Sequence, residues 1–217
     1  MRRFLALLPL VALCACLDIP QAKRQPVGQS TSTFSPRPEA RQCLAELGAT
    51  KANFTPLPDQ YFGAGCSNLN TVRLSAMRGD YQTLGVTNLG PMSCELANRF
   101  VGWARYGVDR AAQQSLGSGL ARIETMGSYS CRDVAGTNRR SAHATANAVD
   151  VSAFVLEDGR RISVLGDWSD GTEEERKFLR IVHESACKRF GTVLGPSYNG
   201  AHRDHFHLEA SSSSFCR

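Results

Sequence analysis

Four of the five histidines in this chain fall in two short segments. His143 lies in Ser141-Ala-His143-Ala-Thr-Ala146-Asn-Ala148-Val-Asp150, and the other three lie in His202-Arg-Asp204-His205-Phe-His207. In an extended strand successive side chains point to opposite faces, so His205 and His207 share one side while Phe206 and Leu208 turn the other way, toward the core. A nitrogen from this strand, one from His143 and the Asp150 carboxylate then supply an N,N,O set from separate segments. Three ligands leave a fourth position open for water, as a catalytic zinc requires, whereas a structural zinc is normally closed by a fourth protein ligand. Zinc lowers the pKa of a water it holds to about 7 and polarises carbonyls, so amide hydrolysis would need only a base and a charge stabiliser in addition. The plainer reading is that these are polar surface residues, with His202 and His205 taking up metal adventitiously.

Such a set needs elements to hold it in place. Residues 43–92 are rich in Gly, Pro and Asn and predict only short strands between turns. Ser93 reads as an N-cap with Glu95 in the first turn, and Leu96, Ala97, Phe100, Val101 and Ala104 recur at helical spacing. A further helical stretch runs from Asp109 to Leu116 and stops at Gly117, and Arg122–Met126 alternates like a strand. Ala148–Leu156 and Arg160–Leu165 flank Glu157-Asp158-Gly159 and predict a hairpin, because Asp-Gly adopts the left-handed conformations of a tight turn. Thr172 with Glu175 forms a capping box. The stripe Phe178, Leu179, Val182, Ala186 and Phe190 comes next, closed by Gly191. His183 lies beside this stripe without a partner motif and reads as a packed or surface histidine, not a ligand.

The chain has 217 residues, 8 cysteines and a formal charge of +5. Arg2 and Arg3 precede the 14-residue apolar run Phe4–Leu17, the pattern of an export signal and too short to span a membrane. Leu13-Cys14-Ala15-Cys16 resembles a bacterial lipobox. Residues 1–15 therefore read as a signal peptide with Cys16 as the lipidated N-terminus, the alternative being an ordinary secretory signal. Residues 16–41 are rich in Pro, Ser, Thr and Gln and read as a tether. Arg2 and Arg3 leave with the signal, and Lys23, Arg24, Arg37 and Arg41 against Asp18 and Glu39 belong to the tether. The domain at 42–217 keeps 19 basic and 18 acidic residues, without the basic footprint of a nucleic-acid-binding domain. Six cysteines remain: Cys43, Cys66, Cys94, Cys131, Cys187 and Cys216. In an exported chain they predict three disulfides, with fifteen pairings open and Cys216 placed to pin the C-terminus.

Several segments together resemble the bacterial extensin-like C-terminal domain over about residues 42–217. They are Gly127-Ser-Tyr129-Ser-Cys131-Arg132, Ser141-x-His143 with Asp150, Phe178-Leu179-Arg180, Ala186-Cys187, Leu194-Gly-Pro-x-Tyr198-Asn199 and Asp204-His205-Phe-His207. Ser-x-His-x(6)-Asp followed by His-x-His is also distantly similar to the LAS zinc peptidases, a group that includes lysostaphin-type enzymes, D-alanyl-D-alanine metallopeptidases and the hedgehog fold. That resemblance implies Zn2+ held by His143, Asp150 and His207. It implies a base at His205 or Asp204, of which His205 is favoured because Asp is one methylene shorter than the Glu some members use. Arg132 matches the arginine that steadies a substrate carboxylate or oxyanion, and Tyr129 is a candidate substrate contact; Ser141 would orient His143 or touch substrate, and His202 would contact substrate, support the site from outside the ligand set, or be merely exposed. Ala146 stands where the group commonly has Gly. The expectation is a monomeric, disulfide-stapled α+β domain, hedgehog or D-Ala-D-Ala peptidase-like, with a small antiparallel sheet and flanking helices. It would face the periplasm or cell wall from a lipid anchor, or be secreted. It would cleave amide bonds of peptidoglycan peptides, the rival being a non-catalytic wall-binding lipoprotein that retains a zinc site.

Overall fold

The structure is a computed structural model that describes residues 37–217. The signal peptide, Cys16 and residues 16–36 of the tether lie outside the described residues. The first helix, α1 (Pro38–Ala49), begins inside the expected tether. Pro38 sits in its first turn, where a missing N–H costs nothing, and Ala40 and Leu47 are buried.

Ten strands form one sheet, so the small sheet expected from the sequence is corrected to a large one. They include β1 (Asn53–Pro56), β4 (Thr71–Arg78), β5 (Thr83–Thr87), β7 (Leu120–Gly127), β8 (Ala148–Leu156), β10 (Thr192–Leu194), β11 (Phe206–Glu209) and β12 (Phe215–Cys216). The spatial order is β1-β4-β5-β7-β8-β11-β10-β12, with β6 (Met92–Ser93) on β4 and β9 (Arg161–Ser163) on β8. The hairpin of β2 (Gln60–Gly63) and β3 (Cys66–Asn68) stands apart as a second, two-stranded sheet. The large sheet is not wholly antiparallel: β5 runs parallel to β7, and β10 to β12. The first parallel pair arises from its connection, since the chain between β5 and β7 is helical and a helical crossover returns a strand in the same direction. That connection is α2 (Cys94–Trp103), a π-helical turn at 104–109, and α3 (Arg110–Leu116). Ser93 caps α2 by accepting from Leu96 N, and Gly117 ends α3 with φ +69°. Buried Asp109 accepts from Leu120 N and Gln82 Nε2, both at 3.0 Å, which fixes where β7 starts.

The short helix α4 (Val164–Asp167) comes after β9, and the capping box at Thr172 and Glu175 opens α5 (Glu173–Cys187). That helix ends at Cys187 with Lys188 as its C-cap, earlier than the Gly191 stop read from the sequence. Helices α2 and α5 cover one face of the sheet through an aromatic cluster. Trp103 meets Phe154 at 6.0 Å, Phe154 meets Phe178 at 5.4 Å, and Trp103 Nε1 donates to Val182 O at 3.1 Å. Phe206 and Leu208 are fully buried, as the strand alternation predicts. The β7–β8 register shifts at Ser152, a bulge that re-aims the next residues of β8, so Phe154 joins Phe206 on the helical side. Three disulfides staple the fold, Cys43–Cys94, Cys66–Cys131 and Cys187–Cys216, the last pinning the C-terminus to α5. No described helix is long and apolar enough to cross a membrane.

Candidate metal centre

Strands β8 and β11 place His207 opposite Asp150. Opposed residues of an antiparallel pair project to the same face, and His207 Nδ1 lies 2.8 Å from Asp150 Oδ1. His143 arrives from the 3-10 turn Ala142–Thr145, started by Ser141, whose hydroxyl accepts from His143 N at 3.3 Å. The turn ends at Ala146 with φ +54°. This left-handed conformation is easy for glycine and costs alanine roughly 1 kcal/mol, so the alanine keeps the turn that a glycine would make. His143 Nε2 is thereby 3.2 Å from Asp150 Oδ2 and 3.2 Å from His207 Nδ1.

The outward nitrogens fix the tautomers. His143 Nδ1 donates to the Ser128 carbonyl at 3.0 Å, and His207 Nε2 donates to Glu209 Oε1 at 2.9 Å. A carbonyl and a carboxylate only accept, so each ring donates a proton outward; by the same rule His207 Nδ1, 2.8 Å from Asp150 Oδ1, carries a proton that a metal would have to displace to leave both inward nitrogens as lone-pair donors. Two ring nitrogens and a carboxylate then converge, buried, at one point. Their separations approach the roughly 3.3 Å between ligands of a tetrahedral zinc with bonds of about 2.0–2.1 Å. The residues fit the ion. The same electrostatics appear in the titration behaviour. Burial opposes the charge on Asp150, yet hydrogen bonds to His143 and His207 hold its carboxyl well below the usual range. Burial likewise lowers His207, but Asp150 and Glu209 outweigh it and raise the ring to about 9. The point demands positive charge, from a proton or from a metal.

A family model described as Extensin-like protein C-terminus matches residues 41–217. The chain belongs to this extensin-like family. No curated protein and no solved structure gives a match. In this extensin-like chain the match starts inside α1 and takes in every strand of both sheets.

The other expected site residues gather unevenly around the centre. His205 Nδ1 is 2.8 Å from Asp204 Oδ1, and its Nε2 lies 3.6 Å from Asp150 Oδ1, too far for a good hydrogen bond. His202 Nδ1 is held by Asn199 Oδ1 at 2.7 Å. Its ring stacks near Tyr198, His205 and His207 at 5.4, 5.2 and 5.9 Å. Burial, and then the neighbouring His205 and His207, push its pKa down to about 4. Tyr129 is bracketed by two bonds to His143, from Ser128 O to the ring and from Ser130 N to the His143 carbonyl. Arg132 is exposed in the next loop. Its carbonyl accepts from Ser141 N at 3.1 Å, while its guanidinium has no hydrogen bond or ion pair among the described residues. It is not drawn into the centre. His183, read as a packed histidine, sits against Trp168 and Phe206 at 5.7 and 5.3 Å. It could form a metal-sized group with Cys187 and Cys216, but their disulfide engages both sulfurs. Sequence reasoning missed Glu209 and Ser128. Glu209 was findable as the acid two residues beyond His207 on the same strand face.

Proposed function

We propose that this extensin-like protein is an exported zinc-dependent peptidase that cleaves an amide bond of peptidoglycan peptides, of the D-alanyl carboxypeptidase or endopeptidase type. The observation that carries the reading is the convergence of His143 Nε2, His207 Nδ1 and the Asp150 carboxylate, with both outward nitrogens already satisfied. These three residues would hold zinc, which when bound supplies Lewis acidity at a carbonyl and brings the pKa of water near 7. The donor set of two imidazoles and one carboxylate suits that ion and leaves room for water and substrate.

His205 handles the proton. With Nδ1–H donated to Asp204, its Nε2 presents a lone pair at the edge of the centre, placed to accept a proton from water and return it to the leaving amine. Asp204 then acts through His205, orienting the ring and stabilising it when protonated, which gives both candidate residues a part. Ser141, spent on the backbone of His143, positions that ligand. Tyr129 and His202 flank the centre as substrate contacts, and Arg132 keeps a free guanidinium for a substrate carboxylate. The hedgehog-like and D-Ala-D-Ala peptidase-like reading of the fold draws support from the last residue of each motif, Asp150 and His207, facing each other on neighbouring antiparallel strands. The three disulfides support export, and the leader supports a lipid anchor at Cys16.

The test is incubation of the purified domain with muropeptides. A shortened product formed by the wild type and absent with His207→Ala is expected; no His207-dependent product would overturn the reading. Two observations favour the rival of a non-catalytic wall-binding protein with a retained zinc: all three proposed ligands are buried, and Arg132 is exposed in the neighbouring loop. His205→Ala separates the two. It abolishes turnover at unchanged metal content in an enzyme, and leaves wall affinity unchanged in a binder.

A further inference from the structure

The hairpin of β2 and β3 belongs to no other sheet, and two strands alone are marginal in water. It is held instead by the Cys66–Cys131 disulfide, which ties it to the loop carrying Tyr129, and β3 packs beside the turn that carries His143. What this tethered hairpin presents is aromatic surface. Tyr61 is 75% exposed and Phe62 is 51% exposed. The pairing register shifts between Tyr61 and Gly63, so Phe62 falls at a bulge, a feature that re-aims a side chain. Its ring lies 5.5 Å from that of Tyr129, tilted by 41°. The turn after it is costly: Gly63, Ala64 and Gly65 have φ of +79°, +48° and +80°, and for alanine that conformation is strained. Residues 60–68 contain no charged side chain.

A disulfide and a strained turn thus hold uncharged, exposed rings beside Tyr129, whose two chain neighbours bond His143, where burial would have been the default for Phe62. We infer that the Phe62–Tyr129 ring pair, with Tyr61 at its edge, is a docking platform for a neutral pyranose of the glycan strand to which the cleaved peptide is attached. Flat ring faces pack against the C–H faces of a sugar; the rings carry no charge, and Arg140, which lies against the Gly65 turn, is paired with Asp133 at 3.0 Å, which suits a neutral N-acetylated unit and not an anionic polymer. The inference rests on the proposed substrate class: the centre takes the peptide, and the platform beside it takes the sugar.

The experiment uses chelator-treated full-length domain, so that binding is read without turnover. The probes are a soluble N-acetylglucosamine pentasaccharide and, separately, a sugar-free stem tetrapeptide. The wild type is expected to bind the pentasaccharide saturably, and Phe62→Ala to weaken that affinity about tenfold, with Phe62→Trp restoring it and tetrapeptide affinity unchanged. Wild-type protein that does not bind the pentasaccharide overturns the inference, as does equal affinity in Phe62→Ala. Loss of tetrapeptide affinity in that variant also overturns it, since the rings would then be docking peptide. Because Phe62 is not one of the three proposed ligands, platform failure alongside His207-dependent hydrolysis would leave the peptidase reading intact. Sugar binding without hydrolysis would do the reverse.

Discussion

Glu209 and the Ser128 carbonyl hold the outward N–H groups of His207 and His143 at 2.9 and 3.0 Å, so the orientation of the inward nitrogens depends on residues outside the proposed ligand set. Losing such a support typically lowers metal affinity 10–100-fold. Glu209→Ala is therefore expected to weaken zinc binding by about that factor in competition with a chromophoric chelator, and an unchanged affinity would show that the pairing is incidental. His205→Ala should lower turnover by about 10²–10⁴ while zinc stays near one per chain. The meeting of His143, Asp150 and His207 was legible from sequence because each sits in a short motif with fixed spacing. Glu209 was passed over because an isolated acid belongs to no motif, although the strand alternation that pairs His205 with His207 already puts it on their face. Arg132 shows the opposite limit: its motif suggests a site residue, while its side chain stands free of the centre.

At the scale of elements, the helical connection from Cys94 to Leu116 contains a π-helical turn whose Gly107 meets another helix. A methyl group there would collide with Ser185 Oγ and approach Trp103 Cδ1 to 2.9 Å. Gly107→Ala should thus destabilise the domain by about 1–3 kcal/mol through overpacking, in spite of alanine's higher helix propensity. Denaturant unfolding checks this, and a stabilised variant would contradict the packing described. The capping boundaries at Ser93 and Thr172 and the turn at Gly159 were readable because each depends on local backbone chemistry. Two features were not. Pro36 and Pro38 look like tether composition, although Pro38 opens α1. The parallel pairing of β5 with β7 joins Gly85 to Arg122 across the whole helical connection, and no local pattern records such a partner.

For the whole molecule, near-neutral charge on 42–217 and three disulfides spanning 51, 65 and 29 residues describe a domain built for constraint. Loops of this size stabilise by roughly 2–5 kcal/mol per bridge, chiefly by restricting the unfolded chain. A metal bound only by the folded state adds to this by mass action, about 4 kcal/mol at a free concentration a thousandfold above Kd. Chelation should accordingly lower the melting temperature of the wild type and leave that of His207→Ala unmoved; equal shifts in both would place the metal elsewhere. The central claim, that His143, Asp150 and His207 form a zinc site, is tested most directly by elemental analysis of protein purified without a histidine tag. The account predicts close to one zinc per chain in the wild type and none in His207→Ala; wild-type protein at background metal content would contradict it.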